Sequence, residues 1–310
     1  TMGRLRTAIQ TLAMLELPPA ESLQQLNELM QKMGEREPHF ATCAFAIYDA
    51  VTGSLEVASA GHLPPLLVSS NGSSEFLDVS PAPPLGVGEE PISSRTFEIK
   101  DGSLFVLYTD GLVESRGRDI DDGLKRLQSV FEPTSVTAPM EALAKAALAG
   151  VTSDRHRDDV ALLIARLARI DSSRQACWTL PGDLTSAREA RRLVIEPLER
   201  WQLGTFVPIT QLLISELVTN AIRYAEGPVT LRLICEDTLV CEVADSSPAL
   251  PRLRDATGDE EPDRGLQIIS RLSHRWGSRR TPAGKVVWCE QRIPQPAQAP
   301  SNTLPTRART

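Results

Sequence analysis

Residues 103–114 read Ser-Leu-Phe-Val-Leu-Tyr-Thr-Asp-Gly-Leu-Val-Glu. The run Ser103–Tyr108 is short, apolar and rich in strand formers, so it predicts a buried strand. That strand delivers a carboxylate, Asp110, with a glycine behind it. Further on, His156-Arg157-Asp158-Asp159-Val160 leads into Asp159–Leu167 (DVALLIARL), a second apolar strand with carboxylates at its start. Carboxylates at strand ends can converge on hard cations such as Mg²⁺ or Mn²⁺, which prefer oxygen ligands. A pair of such cations can activate a bridging water for displacement at phosphorus. Taken alone, Asp-Gly is an ordinary turn and Asp-Asp an ordinary solvated strand end.

Outward from this stretch, the spacing predicts helices over 4–16 and 20–33, split by Pro18-Pro19. Ala41–Asp49 and Ser54–Ala60 alternate as a hairpin around Thr52-Gly53, and Pro64–Val68 follows as a strand. Residues 69–95 are rich in Ser, Pro and Gly and read mostly as loop. Residues 121–131 and 139–150 read as helices. A second pattern starts near residue 176. It runs as strand Cys177–Leu180, helix Leu184–Trp201, helix Pro208–Ala225, strands Val229–Cys235 and Leu239–Ala244, helix Asp263–Trp276 and strand Val286–Arg292.

Composition agrees with two domains. The chain has 310 residues, 41% hydrophobic and 24% charged, enough to bury sizeable cores. Residues 1–170 carry 15 Lys and Arg against 23 Asp and Glu, and the remainder 18 against 17. The net charge of −7 argues against a general nucleic-acid binder. Five scattered cysteines without a CxxC pair exclude a zinc ribbon and a dense disulfide scaffold, and fit a reducing cytoplasm. No unbroken apolar run approaches the ~18 residues of a membrane span, and no signal-peptide core is seen. The expected division is 1–169, a linker at 170–175, a second domain over 176–293, and a disordered tail over 294–310.

In the second half, Glu216 and Asn220 stand four apart in the helix Ile214–Tyr224 and share one face. A carboxylate beside an amide oxygen suits general-base work next to a Mg²⁺-bound phosphate. Asp245 ends an apolar strand, where it could accept from an adenine amino group. Asp263-Arg264-Gly265-Leu266 opens a helix whose first amides could meet phosphate oxygens. Each feature alone is more often a solvated helix face, a strand-end turn or a plain helix start. The ordered set is what points to a nucleotide.

In the first half, MGRLRTA, Phe40-Ala41-Thr42, Ala60-Gly61-His62-Leu63-Pro64-Pro65-Leu66-Leu67, Pro84-Leu85-Gly86, Tyr108–Glu114 and Asp158–Leu163 occur in that order. The set resembles the SpoIIE-like branch of the PPM-type serine/threonine phosphatases over about residues 2–168. The resemblance implies two antiparallel sheets flanked by helices, an αββα sandwich present in part, with a binuclear Mn²⁺ or Mg²⁺ site. It makes Asp110 and Asp158 metal ligands, with Asp159 the adjacent alternative. Gly61 and His62 mark a family motif without a catalytic role. The family's two further aspartate motifs would lie before Thr1, so the chain reads as a truncated piece of a longer phosphatase.

The second half resembles the GHKL (Bergerat-fold) ATPases, in the anti-sigma-factor serine kinase-like branch, over about 176–293. That match includes Gly284-Lys285-Val286-Val287-Trp288. The resemblance implies an α/β sandwich with a Mg²⁺-ATP site. Glu216 would be the general base, Asn220 the Mg²⁺ ligand, Asp245 the adenine contact, and Gly265 part of the phosphate lid. Ser246, Ser247 and Pro248 replace the family's glycines after the adenine-binding aspartate. The acidic stretch 253–264 is unfavourable near phosphates unless it points to solvent. The expected fold class is therefore α+β in two domains. The expected function is a metal-dependent phosphatase fused to an ATP-binding serine kinase-like module. Its partners would be a phosphorylated anti-anti-sigma-factor-like protein and a sigma factor, with no nucleic acid and no membrane in this segment. The alternative is a catalytically silent partner-switching module.

Overall fold

The computed structural model describes residues 2–33, 40–114, 119–131, 137–151, 159–251, 264–281 and 283–294. The chain divides into two compact units, Thr1–Asp171 and Ser172–Thr310. Asp158, Asp263, the acidic stretch up to it, and residues 295–310 of the expected tail lie outside the described residues.

The first unit opens with helices α1 (Met2–Met14) and α2 (Pro19–Met33), followed by strands β1 (Cys43–Asp49), β2 (Ser54–Ala60) and β3 (Leu66–Val68). Then come β4 (Ser74–Phe76), β5 (Ser94–Glu98) and β6 (Ser103–Tyr108). Three helices follow, α3 (Asp110–Val113), α4 (Ile120–Val130) and α5 (Met140–Val151), and β7 (Leu162–Leu167) closes the unit. The hairpin forms as its alternation predicts, with Cys43 opposite Ala60 and Asp49 opposite Ser54. The strands make two antiparallel sheets, ordered β1-β2-β5 and β4-β3-β6-β7.

Alternation along the strands sorts the side chains into three apolar layers. Leu55, Val57, Leu67 and Phe105 meet between the sheets. Ala58 and Ala60 face the other way, onto Leu23, Leu26 and Met30 of α2. Leu66, Val68, Leu104 and Val106 pack against Leu127, Phe131, Leu143 and Ala147 of the helical layer. The order is helices, sheet, sheet, helices, the expected αββα sandwich. The reading of 69–95 as loop misses β4 and the start of β5. Both are short, polar sheet-edge strands, and half-exposed edges carry little apolar signal.

The second unit begins with β8 (Gln175–Leu180), then α6 (Ser186–Leu193), α7 (Ile195–Arg200) and α8 (Val207–Tyr224). It continues with β9 (Val229–Cys235), β10 (Thr238–Asp245), α9 (Arg264–Leu272), β11 (Arg275–Thr281) and β12 (Gly284–Arg292). One antiparallel sheet runs β11-β12-β10-β9-β8. Its Leu231, Leu233, Cys241, Val243 and Cys289 pack under Leu198, Leu213, Leu217 and Ile269 of the helices. A sheet covered on one face reads as clean alternation, as β9 does.

The helix expected over 184–201 is two helices. Pro197 has no N–H and its ring crowds the carbonyl four residues back, at Leu193, where α6 ends. The helix expected over 263–276 stops at Leu272, and Trp276 lies in β11, opposite Cys289. β11 is an edge strand reading Arg-Trp-Gly-Ser-Arg-Arg-Thr, polar enough to hide its period. The span Gly204–Tyr224 is long and apolar enough, by composition, to cross a membrane, with a mean hydropathy of 1.3. Its Leu213, Ile214, Leu217 and Val218 are buried in the core.

Candidate functional sites

In the first unit, Thr109 extends the pairing of β6 with β7. Its amide donates to the Ala161 carbonyl at 3.0 Å, and its hydroxyl donates to the Asp159 carbonyl at 3.2 Å. The Ala161 amide in turn donates to the Thr109 hydroxyl at 2.9 Å. This lattice sets Asp110 and Asp159 at one end of the sheet, both exposed. Among the described residues, the Asp110 carboxylate accepts from the Gly111 amide at 2.8 Å. Asp110 opens the one-turn helix α3, held down by buried Leu112 and Val113.

His62 reaches the same neighbourhood. Gly61 turns the chain there with φ +64°, and an added Cβ would lie 2.7 Å from Pro84 Cγ. His62 Nδ1 lies 3.4 Å from Thr42 Oγ1. Burial lowers the His62 pKa, while the Asp110 charge opposes the shift. The Pro84-Leu85-Gly86 segment is tied to α2, since the Gly86 amide donates to Asn27 Oδ1 at 2.7 Å. Among the described residues, no group of three or more His, Cys, Asp or Glu side chains could hold a metal ion. A hard cation takes about six oxygens. The described carboxylates therefore do not fit a divalent site by themselves.

The second unit brings its predicted residues together more closely. Helix α8 is anchored by α6, where Arg191 donates to Ser215 Oγ at 2.9 Å and Gln211 donates to the Arg191 carbonyl at 2.8 Å. That leaves Glu216 and Asn220, both partly buried, turned toward α9. Gly265, in the first turn of α9, is buried against them. A Cβ there would lie 2.6 Å from Glu216 Oε2 and 3.5 Å from Asn220 Nδ2. Only a glycine lets the helix start approach both groups this closely.

Asp245 occupies the last position of β10, directly opposite Lys285 of β12. Strand parity turns both toward the helical layer. Lys285 Nζ donates to Asp245 Oδ1 at 2.8 Å, with the side chains only 5% and 1% exposed. The Ser247 amide also donates to Oδ1 at 2.8 Å. Ser246 and Ser247 thus form a turn that caps the aspartate, with Ser246 Oγ donating to the Glu226 carbonyl at 2.7 Å. The other carboxylate oxygen, Oδ2, is buried and has no partner among the described residues. Such an orphan acceptor is costly, and a ligand bearing an N–H donor would satisfy it. The sequence reading assigns no role to Lys285. Its signal is a lysine inside an apolar strand run, Gly-Lys-Val-Val-Trp-Cys.

These features define a mixed α/β protein of two domains, a phosphatase-like sandwich and an ATPase-like layer of helices on a sheet. The sequence model of the family described as Stage II sporulation protein E (SpoIIE) matches residues 1–168, and the chain belongs to that family. Residues 180–290 match the histidine kinase-like ATPase domain. Among solved structures, the RsbU and RsbW domains of Rv1364c from Mycobacterium tuberculosis are similar. They show 22% identity over 94% of this chain and 79% of that one, with a TM-score of 0.50. The SiaA-PP2C domain of Pseudomonas aeruginosa aligns over 52% of this chain and 67% of its own, at 21% identity and a TM-score of 0.45. A Bacillus subtilis SpoIIE structure, its PP2C phosphatase domain with a fragment of the regulatory domain, aligns over 55% and 50%, at 13% identity and a TM-score of 0.43.

Proposed function

We propose that the second unit binds Mg²⁺-ATP and phosphorylates a serine on a regulatory partner, and that the first unit belongs to the opposing, dephosphorylating half of the same switch. The observation that carries the reading is the buried Asp245 Oδ2, without a partner among the described residues, in the same unit where Gly265 packs onto Glu216 and Asn220. Asp245 Oδ2 would accept from the adenine amino group. Asn220 Oδ1 would hold the Mg²⁺. The Glu216 carboxylate would take the proton of the attacking serine hydroxyl. Gly265 would let the start of α9 approach the phosphates. The bound nucleotide supplies the phosphoryl group, and the protein's part is to orient the acceptor and remove its proton.

In the first unit the assigned ligands are Asp110, Asp158 and Asp159, for Mn²⁺ or Mg²⁺. The substrate would be a phosphorylated anti-anti-sigma-factor-like protein, and a sigma factor would be the further partner of the kinase-like half in the cytoplasm. The lack of a three-ligand cluster among the described residues favours a second reading for this half, a partner-binding module without turnover. The deciding experiment is Mn²⁺-dependent dephosphorylation of a phosphoserine protein by the chain, beside Asp110→Asn. Turnover lost in the variant supports the phosphatase reading. No turnover with Mn²⁺ in excess leaves the silent reading standing. Isothermal titration with Mg²⁺-ATP tests the other half, and absence of binding would overturn it.

A further inference from the structure

Among the described residues, the Asp245–Lys285 pair leaves one acceptor and one donor unused. Asp245 Oδ1 is taken by Lys285 and by the Ser247 amide, which leaves Oδ2 as a lone buried acceptor. An ammonium has three N–H donors. Lys285 directs one to Asp245 Oδ1 at 2.8 Å and one to the Ser247 carbonyl at 3.5 Å, which leaves the third. The pair therefore offers an acceptor beside a donor, from adjacent strands, on one face of the sheet. Adenine presents the complement along one edge, an amino donor at C6 and an acceptor at N1. Hypoxanthine and guanine present the reverse, an acceptor at C6 and an N–H at N1.

We infer that Lys285 is a second base-reading residue. Its ammonium donates to purine N1 while Asp245 Oδ2 accepts from the exocyclic amino group. The inference rests on the nucleotide reading above and adds to it a specificity determinant that a lone aspartate lacks. A carboxylate alone reads only the amino group. The pair reads both atoms of the edge, and the ion pair holds both groups in register across β10 and β12. A purely structural ion pair would stabilise the sheet end without caring which atom stands at position 1 of the base.

The test is equilibrium binding by isothermal titration, with the full chain and no turnover required. The probes are Mg²⁺ complexes of ATP, of 1-deaza-ATP, which keeps the amino group and replaces N1 by C–H, and of ITP. Wild-type protein is expected to bind ATP about 10-fold or more tighter than 1-deaza-ATP, as for loss of a charge-assisted hydrogen bond. ITP, with its edge reversed, is expected to bind weakest. In Lys285→Met the ATP to 1-deaza-ATP ratio should collapse to about one. If that variant fails to fold because Asp245 is left charged and buried, the paired change Lys285→Met with Asp245→Asn removes both charges, and the same collapse is expected. Equal wild-type affinity for ATP and 1-deaza-ATP overturns the assignment of Lys285 and leaves the nucleotide site intact. No binding of any of the three overturns the site itself, and Lys285 with it.

Discussion

At Gly265 an added methyl group would stand 2.6 Å from the Glu216 carboxylate, with Asn220 just beyond. The obstructing atom is the end of a flexible side chain, so Gly265→Ala should displace Glu216 rather than unfold the unit. Alanine gains about 1 kcal/mol over glycine in a helix, which offsets part of the crowding. The melting temperature should therefore change little, while Mg²⁺-ATP affinity falls about 10-fold, measurable by titration. The thiols give a second residue-scale outcome. Burial pushes the Cys43 thiol up to about 11 and raises Cys235, the hydrogen bond with Cys289 and then burial raise Cys241, and Cys177 is exposed. Only the thiolate reacts. At pH 8 a disulfide reagent should label Cys177 quickly and the other four only on unfolding. Raising the pH towards 11 should bring in Cys43 next, and fast labelling of two or more thiols at pH 8 would contradict the packing. Glu216 and Asn220 were legible because a four-residue spacing on a helix fixes a shared face. Lys285 was not, because its meaning depends on a cross-strand partner forty residues away in sequence.

Helix α3 is one turn long and carries Asp110 at its start, so its position depends on what packs against it. Gly123 of α4 lies so close that an added Cβ would fall 2.0 Å from the Val113 carbonyl oxygen. That atom is backbone and has little room to give. Gly123→Ala should push α4 off α3 and cost about 1–3 kcal/mol, read as a lower urea midpoint for the first unit. Mg²⁺-ATP affinity should not move. A variant as stable as the parent would mean the two helices are not in contact in solution. The elements themselves were unevenly readable. Ser103–Tyr108 and Val229–Cys235 come out at the expected bounds, the first as an unbroken buried apolar run and the second because buried and half-buried residues alternate along it. β11 was hidden because its alternation is mostly between polar groups. Arg279 pairs with Glu242 at 2.8 Å, and Arg275 with Glu290 at 2.6 Å. The break between α6 and α7 was readable in principle from Pro197, whose effect falls four residues upstream of itself.

Each unit encloses its own apolar layers, so the whole chain should melt in two steps rather than one. Calorimetry with Mg²⁺-ATP at 100 times its dissociation constant adds about 2.7 kcal/mol to the unit that binds it. One transition should rise by on the order of 10 °C and the other should stay in place. In Asp245→Asn the rise should shrink towards zero. A single transition, or a rise shared by both, would show that the units unfold together. The helix-on-sheet layering of the second unit was visible in the order of periodic segments, whereas the αββα order of the first came only from the family resemblance. Asp158 is marked by its motif alone and lies outside the described residues.

β11 forms one rim of the second sheet, and every unpaired rim is a template onto which a stray strand can add. Here that rim carries Arg275, Arg279 and Arg280 within seven residues. Glu290 and Glu242 already pair Arg275 and Arg279, so two such rims meeting head-on would set the exposed Arg280 of one copy against that of the other. The arginine run that obscured the strand in the sequence therefore acts, through Arg280, on colloidal behaviour. It discourages copies from zipping into fibrils at high concentration, a protection that added salt should weaken as it screens the charge.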